Sequence, residues 1–187
     1  MSVAQRGFSL LETLIAMSIS SLLLLGASRF LPGLQRAVLL QTRHQALEDE
    51  LWQRVYTVAK HLQRAGYCRG ECAGEPLIVN WQGACVLVKW DANNNGKWDD
   101  AFAATSDVTG FRLQNGVLET RRGASSCDDK GWDKMTDPQT LRVTRFEVVR
   151  YNSPHFAPEL TVILTGQTTS VPQQTAAAMY SVTGYNL

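Results

Sequence analysis

The chain has almost no excess of either charge: 18 Lys and Arg against 17 Asp and Glu leave a net charge of +1 over 187 residues. A nucleic-acid binder gathers basic residues on one face, and this balance points to no such stripe, so no nucleic acid is expected as a partner. Catalytic sets are missing as well. His44, His61 and His155 have no nucleophile elbow and no metal pair beside them. Each is expected to be solvated or satisfied in the fold, and no enzyme is expected. Zinc sites show close cysteine pairs twice, and here only Cys68 and Cys72 are close in sequence. No internal repeat is visible. The length leaves room for one domain plus a tail or anchor.

Charge is scarcest near the N-terminus. Between Phe8 and Leu31 the only ionisable side chains are Glu12 and Arg29. As a helix this run reaches roughly 35 Å, enough to cross a bilayer core of about 30 Å. Arg29 lies near the far end, where it can snorkel to the interface. Glu12 sits about one turn inside, where an unpaired carboxylate costs about 2.5 kcal/mol or more. An ordinary secretory signal has a shorter apolar core, about 7–15 residues, with its cleavage site after it. A plain signal anchor explains the run but not the acid. Arg6 before the run keeps that end cytoplasmic and sends the bulk of the chain across.

Gly7-Phe8-Ser9-Leu10-Leu11-Glu12-Thr13-Leu14 resembles the class III signal of type IV pilins and type II secretion pseudopilins. The nearest likeness is to minor pilins of the prepilin-peptidase-dependent protein B type, which are similar to J-type minor pseudopilins. The resemblance implies a leader over residues 1–7 and a cut by prepilin peptidase between Gly7 and Phe8. It also implies N-methylation of Phe8. Glu12, the fifth residue counted from Phe8, stands at the family's acid position and is expected to steer assembly. Phe111-Arg112-Leu113-Gln114-Asn115-Gly116-Val117-Leu118-Glu119 is similar to the hairpin of J-type pseudopilins.

The rest of the chain reads as α+β: a long helix, then antiparallel strands. Residues 8–31 form the transmembrane half of the helix and 32–66 its amphipathic half. Residues 67–187 are expected as a β-rich periplasmic domain. Pro32-Gly33 predicts a bend or local unwinding rather than a stop. Leu47, Leu51, Val55, Ala59 and Leu62 recur at three- to four-residue steps and predict a stripe packed on a sheet. Gly66 suits the position after the helix end. Strands are expected over 77–81, 84–90, 110–114, 117–121, 141–151 and 160–165, with a weak one over 179–183. Asn115-Gly116 predicts a type I′ hairpin.

The four cysteines, Cys68, Cys72, Cys85 and Cys127, all follow the apolar run, which fits disulfides in an oxidising compartment. Four cysteines allow three pairings. Cys68 with Cys72 and Cys85 with Cys127 is expected because the first two share one loop, and the other pairings stay open. Asp91-Ala92-Asn93-Asn94-Asn95-Gly96-Lys97-Trp98-Asp99-Asp100 resembles the first part of an EF-hand loop. Asp91, Asn93, Asn95, the Lys97 carbonyl and Asp99 are the candidate calcium ligands. Phe102 stands where the loop's bidentate Glu belongs, so a site here is expected to be weak and structural. The bland alternative is a polar Asn-Gly turn.

The expected role is a minor pilin subunit that initiates or caps a type IV pilus, single-pass in the inner membrane, with a place at the pilus tip. Expected partners are prepilin peptidase and other major and minor pilins or pseudopilins. A minor pseudopilin of a type II secretion system and a membrane-anchored periplasmic binding module are the rivals.

Overall fold

The computed structural model describes residues 9–170 and 173–187. The chain is α+β: one long N-terminal helix, with antiparallel sheets in the domain that follows. It divides into two units, with the boundary between Arg43 and His44.

The first unit is helical. Helix α1 spans Leu10–Arg64, 55 residues, and its N-terminal part is long and apolar enough to cross a membrane. None of that apolar stretch is buried. Its hydroxyls do not break the ladder, because Ser18, Ser21 and Ser28 donate back to the carbonyls of Ile15, Met17 and Leu25. The helix runs without interruption through Pro32-Gly33, so the local unwinding considered from sequence is absent. The proline removes one N–H donor, and the turns on either side hold the helix across it.

The second unit holds the core. From His44 onward α1 presents Leu47, Leu51, Val55, Val58, Ala59 and Leu62, all buried. The expected stripe is therefore the packed face, widened by Val58. It meets two sheets. The first has five antiparallel strands in sequence order: β1 Leu77–Asn80, β2 Cys85–Lys89, β3 Val108–Gln114, β4 Val117–Arg122 and β5 Asp133–Lys134. The second has three: β6 Leu141–Tyr151, β7 Glu159–Thr168 and β8 Thr175–Thr183. Phe111, Leu118 and Val86 from the first sheet and Leu141, Phe146, Leu160 and Leu164 from the second share one core cluster with the helix stripe. β7 shows the alternation that builds this face, with Leu160, Val162 and Leu164 inward and Thr161 and Ile163 outward.

Local chemistry sets the ends of these elements. Gly66, at φ +85, follows the helix, and a Cβ there would lie 2.0 Å from the Asn186 carbonyl oxygen. No other residue fits that backbone. Asn115 and Gly116 both have positive φ, at 53 and 79, as a type I′ turn between β3 and β4 requires. The expected strand over 77–81 stops one residue early. Trp81 and Gln82 turn to positive φ, 52 and 54, and open a 3-10 turn, Trp81–Gly83, that re-aims the chain into β2. The strand expected over 179–183 begins four residues earlier, because Thr175, Ala176, Ala177 and Ala178 also pair with β7.

Candidate functional site

Glu12 stands on the first turn of α1. Ser9 precedes the helix, and its Oγ accepts from the Leu11 N–H at 3.3 Å. The Glu12 carboxylate reaches back and accepts from the Ser9 N–H at 2.9 Å. This reciprocal pair is a capping box, spelled Ser9-x-x-Glu12, and it satisfies two donors at the helix start. Part of the cost of an acid in an apolar segment is offset here within the chain itself. The Ser-x-x-Glu spacing that specifies this box is plain in the sequence. Gly7 and Phe8 lie outside the described residues. A contact between Glu12 and Phe8 therefore falls outside them.

Two disulfides lie in the second unit. Cys68 pairs with Cys72, four residues on, and Cys85 with Cys127, 42 residues on. The second ties β2 to the loop after β4. Arg112 of β3 completes that tie. Its Nε donates to Glu119 at 2.9 Å and its Nη1 to the Cys127 carbonyl at 2.6 Å. Its guanidinium lies 4.4 Å from the Trp132 ring centroid.

The Asp91 loop folds around its own amides. Asp91 is buried. Its Oδ1 accepts from the Asn95 N–H at 3.0 Å, and its Oδ2 from Gly96 at 3.0 Å and Arg69 at 3.1 Å. Burial pushes this carboxyl up, but the backbone N–H bonds from Arg69, Gly96, Asn95 and Asn94 together outweigh it and hold the pKa below its ordinary value. Asn93 and Asn95 turn their amide nitrogens toward Asp99 Oδ2, at 3.0 and 3.1 Å. The Asp99 carboxyl is likewise held low, first by the Thr105 hydroxyl. Phe102 is 87% exposed and offers no oxygen. Among the described residues no group of three or more His, Cys, Asp and Glu is placed to hold a metal. As arranged, backbone N–H and side-chain donors occupy the carboxylate oxygens of Asp91 and Asp99.

His61 departs from the expectation of a solvated or satisfied side chain. Its Nδ1 is buried without a hydrogen-bond partner among the described residues. Its ring stands edge-on to Phe111, with centroids 5.2 Å apart. Burial, then Arg64, push its pKa down. The helix stripe places it there, one residue before Leu62. His44 does sit in a pair, 3.4 Å from Glu48.

Known proteins give this geometry its context. The family described as prepilin peptidase-dependent protein B matches residues 40–184. The chain belongs to this family. A protein B relative of Escherichia coli (strain K12), "Prepilin peptidase-dependent protein B", is 59% identical over 187 residues, covering 100% of both chains. The prokaryotic N-terminal methylation motif matches residues 3–28, the stretch that holds Gly7, Phe8 and Glu12. No solved structure matches the chain significantly. A protein B chain is thus pilin-like, with a methylation motif at the head of an apolar helix, which marks a membrane anchor. Dependence on prepilin peptidase implies processing by that enzyme.

Proposed function

We propose that this protein is a minor pilin subunit that initiates or caps assembly of a type IV pilus. It has no catalytic role of its own. It waits in the inner membrane with its anchor spanning once and residues 67–187 in the periplasm, and its place in the fibre is the tip. The observation that carries the reading is the change of role along α1. Its apolar N-terminal part is unburied and membrane-length, whereas Leu47 to Leu62 are committed to the domain core. Such a helix has one end free to pack with like helices in lipid.

In this reading prepilin peptidase cuts between Gly7 and Phe8, and Phe8 is methylated. The new amine meets Glu12 of its own or an adjoining subunit, and the opposite charges favour each other strongly where water is scarce. Mass spectrometry of the protein from cells with prepilin peptidase is expected to find methylated Phe8 as the first residue. An intact leader, or a cut after the apolar run, removes the pilin reading. A minor pseudopilin of a type II secretion system shares every feature of this chemistry. Cross-linked partners distinguish the two: pilus subunits support the first, secretion pseudopilins the second.

The Asp91 loop carries a separate proposal: calcium bound by Asp91, Asn93, Asn95, the Lys97 carbonyl and Asp99, weakly and structurally. For this Asn93 and Asn95 must turn their oxygens inward and release Asp99. Millimolar calcium is then expected to raise the Tm by linkage, and Asn93→Ala to abolish the rise. No shift leaves the loop a self-bonded turn.

A further inference from the structure

His61 is a titratable side chain that the proposed function does not use. It stands on the last turns of α1, edge-on to Phe111 of β3. Its Nδ1 is buried and has no hydrogen-bond partner among the described residues. Beside the ring is a cavity of about 240 Å³, lined also by Trp90, Ser106, Asp107, Thr109 and Arg122. Two backbone bonds pin the helix end to the first sheet here. The Gly66 N–H donates to the Lys89 carbonyl at the end of β2, and the Asp91 N–H to the Tyr67 carbonyl, each at 2.9 Å.

Protonation decides whether this ring fits. A neutral imidazole can carry its one proton on Nε2 and leave Nδ1 a bare acceptor, whereas a charged one carries N–H at both nitrogens. Acid therefore forces a donor onto Nδ1, where Phe111 offers no oxygen, and a buried donor without a partner is costly. The charges around the ring do not relieve it. From α1, Arg64 lies one turn on, its guanidinium 4.8 Å from the Trp90 ring centroid, and it repels a second positive charge. From β4, Arg122 lines the cavity with its Nε on the Ser106 carbonyl at 2.9 Å. Trp90, Thr109 and Phe111 bring no charge. One acid lines the cavity, Asp107. Its Oδ1 already accepts from the Ala92 N–H at 3.0 Å and its Oδ2 from the Asp99 N–H at 2.9 Å. Burial first, and then Arg64, accordingly hold the His61 pKa below its ordinary value of 6.5.

We propose that His61 is an acid-sensitive latch: neutral, it lets the end of α1 seat on the first sheet, and charged, it unseats it. The ring binds a proton more readily when the helix end is open and the ring is in water. Above about pH 6.5 it is neutral in both states, and the seat is at full strength. As the pH falls below that value the open state gains protons first. Each further unit then favours opening by as much as about tenfold, until the seated ring charges too. Carboxylates titrate lower, near about 4, so they stay charged over this range. The other two histidines lie elsewhere. His44 pairs with Glu48 at 3.4 Å, and His155 is exposed.

The test uses the full-length chain in detergent micelles and follows amide hydrogen exchange from about pH 7.5 to about pH 5.5, across the ordinary histidine range. Rates are divided by those of an unstructured peptide at each pH, which leaves the protection due to structure. Protection of the Gly66 amide is expected to fall several-fold, at most about tenfold, by the acid end of the range, while Val162 in β7 keeps its protection. His61→Phe keeps a ring and removes the titration, and is expected to hold Gly66 protected throughout. His61→Leu provides the same readout should His61→Phe fold poorly. His44→Gln and His155→Gln are expected to fall as the parent does. Constant protection of Gly66 in the parent overturns the latch. So does an equal fall in His61→Phe and His61→Leu, which assigns the acid response to another group. A fall of the same size at Val162 overturns it too, because the whole domain then opens rather than the helix end.

Discussion

Cys127→Ser is expected to cost the domain about 4 kcal/mol, against about 2 kcal/mol for Cys72→Ser, from the chain entropy each bridge removes in the unfolded state. The difference follows from loop length: the first bridge closes a separation of 42 residues, the second only 4. About 4 kcal/mol is a large share of the 5–15 kcal/mol that holds a typical domain folded. The variant carries a second penalty. Arg112 is buried and donates to the Cys127 carbonyl. If the loop swings free, that guanidinium keeps Glu119 but loses a carbonyl partner inside the protein, and an unmet donor there is costly. Urea unfolding of the oxidised protein, read by tryptophan fluorescence, measures both variants. The wild type under reductant should lose at least as much as Cys127→Ser. A loss under about 1 kcal/mol for Cys127→Ser would mean that Arg112 and Trp132 already close the loop, and that the entropy argument fails here.

What could be read from the sequence was what depends on near neighbours. The stripe from Leu47 to Leu62 repeats at helical spacing, so its burial followed from period alone. Asn115-Gly116 is a turn by backbone geometry wherever it stands. The division into two sheets was not legible, because it depends on which distant strand each edge meets. Nothing near Leu141 says that β6 starts a new sheet. The break at Trp81 and Gln82 was also hidden, since neither residue type favours positive φ and the turn is imposed by the strands on either side. His61 was misjudged for a related reason. Its spacing from Leu62 could not show that Phe111, 50 positions on, would stand edge-on to its ring. At the N-terminus the capping box is written in plain residues, Ser9 and Glu12, at the head of the membrane-length run.

That second role sharpens the expected result for Glu12. Glu12→Leu should insert at least as readily as the parent, because leucine favours the bilayer where a carboxylate opposes it. It removes the bond to the Ser9 N–H, a cap of typically about 1 kcal/mol at one helix end. The remaining turns of α1 keep their own ladder. The core built from Leu47 onward is untouched, so folding of the second unit and the cut at Gly7 should persist. Incorporation beside other pilins should be lost, seen as missing cross-links and fewer or shorter fibres. Glu12→Gln separates the two roles. A glutamine at this position can still accept from the Ser9 N–H and complete the capping box, but it carries no charge to meet the amine at Phe8. If charge pairing steers assembly, Glu12→Gln should fail as Glu12→Leu does. If Glu12→Gln assembles and Glu12→Leu does not, the acid acts through the shape of the helix start. If Glu12→Leu assembles as well as the parent, the residue does not steer assembly in this subunit, and the cost of burying it has to be explained by the cap alone.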